Sequence, residues 1–217
     1  MSWPSADVAP LSRLRVATQV VVLVRDEVTG EPPAVSPTMR LQRVDGLAVT
    51  DLDWTARLTI SGAVVFAGFD RVSGSGAAVA EDYLLLVASD GVFRADHPAG
   101  YAFTVPPDSG QWPVEVRVRL LPGPAYPYLR HLPVVRGRVL RSGAPVPDAI
   151  VALTENNGAV VSARCAADHL GRFSVRAQRY RPTRAMEIRA TAPGGVSSPS
   201  RVLVSDDFVQ SVDLIVP

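Results

Sequence analysis

The stretch Val114-Glu-Val-Arg-Val-Arg-Leu120 decides the fold class. Val114, Val116, Val118 and Leu120 alternate with Glu115, Arg117 and Arg119. An extended chain therefore puts the apolar side chains on one face and the charges on the other. This period of two predicts an antiparallel strand with one wet face. Working outward, similar short runs recur at Gln19–Arg25, Thr55–Ile60, Tyr83–Ala88, Tyr101–Val105, Val134–Leu140, Ala149–Thr154, Arg172–Arg176, Met186–Thr191, Arg201–Val204 and Gln210–Val216. They are bounded by Gly, Pro, Asp and Ser, and 19 prolines and 16 glycines supply turns. No stretch carries a convincing 3.6-residue period. Short strands at this spacing predict an all-β chain of two tandem antiparallel β-sandwich domains.

The segment Leu121 to Pro133, LPGPAYPYLRHLP, separates the halves. Pro122, Pro124, Pro127 and Pro133 favour an extended, polyproline-like path. The expected division is a domain at 1–121, a proline-rich linker at 122–133 acting as a stiff hinge, and a domain at 134–217. The halves look related. VLVRDEVTGEP (Val22–Pro32) and VRGRVLRSGAP (Val135–Pro145) each run from an apolar strand through a polar turn to Gly-x-Pro. ADHPAGYAFTV (Ala95–Val105) and ADHLGRFSV (Ala167–Val175) each run from Asp-His through Gly and Phe into an alternating strand. A degenerate duplication is expected, with an insert at about 51–90 in the first copy.

The second copy reads as strand, Gly137, strand, then Gly143, Pro145, Val146 and the small Ala149 before Val151 and Leu153. Asp168, Gly171 and Phe173 follow as Asp-x-x-Gly-x-Phe. This pattern resembles the carboxypeptidase regulatory-like family, over Val134–Pro217. The resemblance implies a small transthyretin-like β-sandwich, of the immunoglobulin-like general type. It implies little about function, because the family is an accessory module on unrelated proteins. The physical reading stands beside it. Gly143-Ala-Pro145 is expected to form a hairpin turn, Asp168 an Asx-type turn, and Phe173 and Val175 to point into the core.

Composition excludes several chemistries. All 22 basic residues are arginine. No Schiff-base lysine and no lysine-containing phosphate loop exist. The single cysteine, Cys165, forms no intrachain disulfide and reads as a small buried hydrophobe. The formal net charge of +1 gives no general attraction to nucleic acid. No apolar run approaches the ~18 residues of a membrane-spanning helix. Val20–Val24, followed at once by Arg25-Asp26-Glu27, reads as a buried strand instead of a signal peptide, so a cytoplasmic location is expected.

No catalytic constellation is legible. Adjacent residues in Asp96-His97 and Asp168-His169 point to opposite faces, which is poor for chelation, and His131 is remote. Ser73-Gly-Ser-Gly76 reads as a loop tip. Asp51/Asp53, Glu81-Asp82 and Asp206-Asp207 read as solvated turns. No cofactor or metal is expected. Trp54 and Trp112 are candidate sugar-stacking residues, with Trp3 and the linker tyrosines Tyr126 and Tyr128 as lesser platforms. Charge is uneven: residues 1–133 carry 11 Arg against 14 acids (−3), and 134–217 carry 11 Arg against 7 (+4). Arg172, Arg176, Arg179, Arg181 and Arg184 are therefore candidates for docking an acidic partner, including the acidic half of another copy. The expected function is a non-catalytic structural or interaction protein, a component of a larger bacterial assembly such as a phage-tail-like contractile particle. A protein partner or self-association is expected, without nucleic acid or membrane; the alternative is a carbohydrate-binding module.

Overall fold

The computed structural model describes residues 20–35, 37–53, 57–59, 62–66, 80–88, 91–106, 113–128, 133–155, 160–176, 184–204 and 209–217. Among these residues there is no helix, and the chain is all-β. The first half contains β1 (Val20–Asp26), β2 (Met39–Asp45), β3 (Ala48–Leu52), β4 (Arg57–Leu58), β5 (Ala63–Phe66), β6 (Glu81–Val87), β7 (Phe93–Ala95), β8 (Tyr101–Val105) and β9 (Val114–Pro122). The second contains β10 (Val134–Arg141), β11 (Ala144–Pro145), β12 (Ile150–Glu155), β13 (Val160–Ala166), β14 (Arg172–Val175), β15 (Arg184–Ala192), β16 (Gly195–Val196), β17 (Ser200–Val204) and β18 (Val209–Ile215).

In the first half the sheets run β4-β5-β1-β9-β7 and β3-β2-β6-β8. Their facing side chains make one core: Val20, Val22, Val24, Phe66, Val116, Val118 and Leu120 meet Leu41, Tyr83, Leu85 and Val105. In the second half β10 lies between β18 on one edge and β11 with β14 on the other; the facing sheet is β13-β12-β15, with β16 and β17 on the far edge of β15. A second, separate core joins Val135, Val139, Phe173, Val175 and Leu214 to Val151, Leu153, Cys165 and Ile188. Alternation in β9 is as the sequence dictates, with Val116, Val118 and Leu120 inside and Glu115, Arg117 and Arg119 outward.

Two expectations need revision. The sheets are mixed, not purely antiparallel: β1 pairs in parallel with β9 (Val20↔Val114 to Asp26↔Leu120), and β10 with β18 (Val134↔Val209 to Leu140↔Ile215). Alternation fixes which face a side chain takes, not the direction of the neighbouring strand. The hairpin after β10 turns at Ser142-Gly143, with φ of 49° and 81°; Ala144 and Pro145 already pair back onto Arg141 and Leu140. Positive φ at both central residues is the hairpin turn whose twist matches the strands.

One of the two sequence signatures shared by the halves falls at equivalent places in their sheets. In both halves the first strand is flanked by the last strand, in parallel, and by an antiparallel strand opening on a glycine: Gly62 before β5 and Gly171 before β14. In both, that glycine lies against the proline of Gly-x-Pro. A Cβ on Gly62 would come within 2.5 Å of Pro32 Cβ, and one on Gly171 within 3.2 Å of Pro145 Cβ. The Asp-His signature is not equivalent, because β8 joins β6 in the facing sheet while β14 pairs with β10.

Candidate functional site

In residues 123–128 the proline-rich tract after β9 is anchored to both halves. Tyr126 donates its hydroxyl to the buried Asp26 Oδ2 (2.7 Å) and sets its ring edge-on to Phe93. Two residues later Tyr128 reaches the second half, donating to the Ser174 carbonyl (3.2 Å), and its ring lies 5.1 Å from the Arg176 guanidinium carbon. The two rings contact each other, with centroids 4.6 Å apart. The path here is turned, not the extended one expected from its prolines: the Tyr126 amide donates to the Gly123 carbonyl (3.1 Å) and the Tyr128 amide to the Tyr126 carbonyl (2.9 Å), and the two tyrosines so placed serve one half each. Around this strap, Arg164 of β13 gives Nε and Nη2 to Glu27 Oε1 (3.1 and 2.7 Å), and the Arg94 guanidinium of β7 pairs with Asp148. Buried Leu121 of β9 and Ala166 of β13 belong to neither core and lie on strands that touch across the junction. Residues 123–128 thus form a packed strap between the halves. Part of the charge asymmetry is satisfied within the chain.

Beside the strap lies an open cleft of about 1070 Å³. Its floor is the outward face of β14-β10-β18, and the strand register orders it in two ranks. Ser174, Arg136 and Ser211 lie side by side; then Arg172, Arg138 and Asp213. The intervening residues Val135, Val139, Phe173, Val175 and Leu214 point the other way, into the core. Gly91, Arg94, Pro124 and Ala125 form the opposing wall, and Asp168 and His169 one end. Four arginines against two aspartates leave the lining with a formal charge of +2.

Several groups are already engaged. Asp168 Oδ1 accepts from the amides of Leu170 and Arg172, and Oδ2 accepts from Arg172 Nε, each at 2.9 Å; this is the expected Asx-type turn, now with an ion pair. Burial disfavours the charged form of Asp168, yet these donors outweigh it and hold the carboxyl below its ordinary range. Arg138 grips Asp213 through Nε and Nη2 (3.4 and 3.0 Å). Cys165 is fully buried in the second core, and burial pushes its thiol well above the ordinary value. His97 and His169 stand exposed in turns, and Asp96 accepts from the Tyr101 hydroxyl (2.5 Å). Among the described residues no three His, Cys, Asp or Glu side chains converge.

Of the arginines singled out from sequence, Arg172 lines the cleft. Arg176 is not among the lining residues: it lies on the Tyr128 ring, with Nε and Nη1 buried and without an acceptor among the described residues. Arg184 has only its backbone described, in β15 of the facing sheet; Arg179 and Arg181 lie outside the described residues, as do Trp3, Trp54, Trp112, His131, Ser73–Gly76 and Asp206-Asp207. Arg94, Arg136 and Arg138 escaped the sequence reading. The Arg-x-Arg spacing at 136–138 within an alternating run was the available signal.

No family model matches this chain, and no curated protein matches it. Among solved structures it is similar to a point mutant of the shaft pilin SpaA from Lactobacillus rhamnosus GG: 11% identity, 92% of this chain and 97% of that one, TM-score 0.32. The Bacillus anthracis TIE protein gives 9% identity over 92% of this chain and 33% of that one, with a TM-score of 0.29. BcpA, the major pilin subunit of Bacillus cereus, gives 9% over 90% and 97%, with 0.30. At such scores the likeness carries no argument about the role of this chain.

Proposed function

We propose that this protein is a non-catalytic structural component of a larger bacterial protein assembly, built of two tandem sandwich modules, the second of carboxypeptidase regulatory-like type. The observation that carries the reading is the strap and its flanking ion pairs. Tyr126, Tyr128, Glu27–Arg164 and Arg94–Asp148 fasten the two cores together, as a load-transmitting or docking unit requires. The thiol and the Asp-His pairs are engaged in packing and turns, while the concave surface beside the strap presents arginines suited to gripping carboxylates. A contractile, phage-tail-like particle is the narrower setting of the proposal.

The test is gradient sedimentation of lysate from a host expressing the tagged full-length chain at native level, beside a glycan array. Co-sedimentation with a discrete high-mass particle is expected. Recovery only at the mass of the free 23.1 kDa chain, together with capture of a defined glycan, would replace the assembly reading with a carbohydrate-binding one.

A further inference from the structure

We propose that the cleft between β7 and the β14-β10-β18 face binds an extended acidic segment of a partner protein, with carboxylates on alternate residues lying along β10. This deepens the assembly reading and rests on it.

Spacing comes first. Arg136 and Arg138 are two residues apart on one strand, so their stems rise from the floor roughly 6.7 Å apart. An extended peptide repeats its same-face side chains at that interval, so an acid opposite Arg136 sets its alternate neighbour at the Arg138–Arg172 rank, where Arg138 is held by Asp213 and Arg172 is the arginine with nitrogens to spare. Arg172 stands beside Arg138, roughly 4.8 Å across the sheet.

Free donors come second. Arg94, Arg138 and Arg172 each already hold a carboxylate of their own chain. Those pairs show that the cleft presents guanidinium groups to carboxylates in usable geometry. Arg136 is exposed, flanked by Ser174 and Ser211, and among the described residues nothing pairs with it. Arg172 gives only Nε to Asp168, and its side chain is 57% exposed, so its terminal nitrogens face solvent. Burial disfavours the charge on Arg176, and the field of Arg136 adds a smaller repulsion that an incoming carboxylate would offset.

The chemistry of the lining selects the class of partner. Asp168 and Asp213 inside the cleft oppose a chain with a charge at every unit, such as a phosphate backbone. Of the two lining rings among the described residues, Phe173 turns into the core, and the exposed His169 alone makes no platform for successive bases. A polypeptide that alternates acidic with neutral residues meets both conditions.

The test is fluorescence anisotropy on the full-length protein at low ionic strength. The probe is a labelled Ser-Glu-Ser-Glu-Ser-Glu-Ser peptide, beside an isomer with its three glutamates contiguous. Saturable binding is expected, tighter for the alternating peptide and weakening as salt rises. Arg136→Gln should weaken it about tenfold, the scale of one lost charge-assisted bond. Because Arg136 has no described partner, its unfolding midpoint should stay put. Arg117→Gln, on the exposed face of β9, should bind as wild type. Absence of saturable binding, equal affinity of the Arg136→Gln variant, or displacement by oligothymidylate or pyrophosphate at lower concentration than by the unlabelled peptide would overturn the proposal. A chain that enters a particle in its host yet binds no acidic peptide retains the assembly reading and loses this one.

Discussion

Alanine at Gly171 tests how the second core is closed. Gly171 has a φ of 69°, and a Cβ there would lie 2.6 Å from the Val139 carbonyl oxygen and 3.2 Å from both Pro145 Cβ and the Val146 amide nitrogen. The first cost is the left-handed backbone, about 1 kcal/mol for alanine. The second is steric. The obstructing oxygen belongs to the backbone of β10, whose Val139 amide donates to the Gly171 carbonyl (2.8 Å) and whose Val139 carbonyl accepts from Val146 (2.9 Å). Moving it strains both bonds, adding about 2 kcal/mol, the usual scale of overpacking. Gly143 is the control: its φ is 81°, and a Cβ there meets nothing within 4 Å. Gly143→Ala should therefore lose about 1 kcal/mol and Gly171→Ala about 3. Urea unfolding followed by far-ultraviolet circular dichroism reads the difference. Equal losses for the two variants, or a neutral Gly171→Ala, would refute the packing of β14 against the β10–β11 hairpin.

Phe173, 2% exposed, should cost about 3–5 kcal/mol on replacement by alanine, measured by the same unfolding assay. Cys165 should resist a thiol-specific disulfide reagent in the native state and react stoichiometrically in denaturant, because its sulfur is buried and its thiolate disfavoured. Glu27→Gln and Arg164→Gln should be non-additive in a double-mutant cycle by about 1 kcal/mol, and this coupling should shrink as salt rises. Additive losses would mean that the ion pair does not fasten the two halves. Asp168→Asn should destabilise the chain at neutral pH. Its carboxyl is held low, so the wild type's advantage over the variant is present above the ordinary carboxylate range and shrinks progressively as pH falls below about 4 towards the depressed folded value. An advantage that stays constant or grows as the pH is lowered through that range would refute the assignment.

Strand identity is most legible where apolar and charged residues alternate strictly. Tyr101–Val105 matches β8 to the residue, and Val114–Leu120 differs from β9 only by Leu121 and Pro122. Where alternation fails, the strands went unread. Ala63–Phe66 is apolar throughout, and Met39–Asp45 is largely exposed beyond Leu41, so neither shows a clean period of two. Of Thr55–Ile60, only Arg57–Leu58 is described as a strand. The site was harder to read because it is made by register. The run from Arg164 to Arg189 looked like one basic surface, but its members part ways. Arg164 pairs with Glu27, Arg172 faces the cleft, Arg176 lies on Tyr128, and Arg189 sits beside Glu187 in the facing sheet. The companions of Arg172 come from β10 and β7. Spacing along one strand cannot reveal which residue its neighbour sets alongside.

The parallel pairing of β1 with β9, and of β10 with β18, has a mechanical meaning. Tension applied to either half through its first and last strands pulls one backward and its neighbour forward along the same line. The ladder between them is then loaded in shear, and its hydrogen bonds must fail together instead of unzipping one at a time. Each half carries a seven-residue register of this kind. Survival under load depends on the rate of forced unfolding, not on equilibrium stability. Each half is therefore built to hold longest when stretched along its own end strands and to yield sooner when pulled across its sheets.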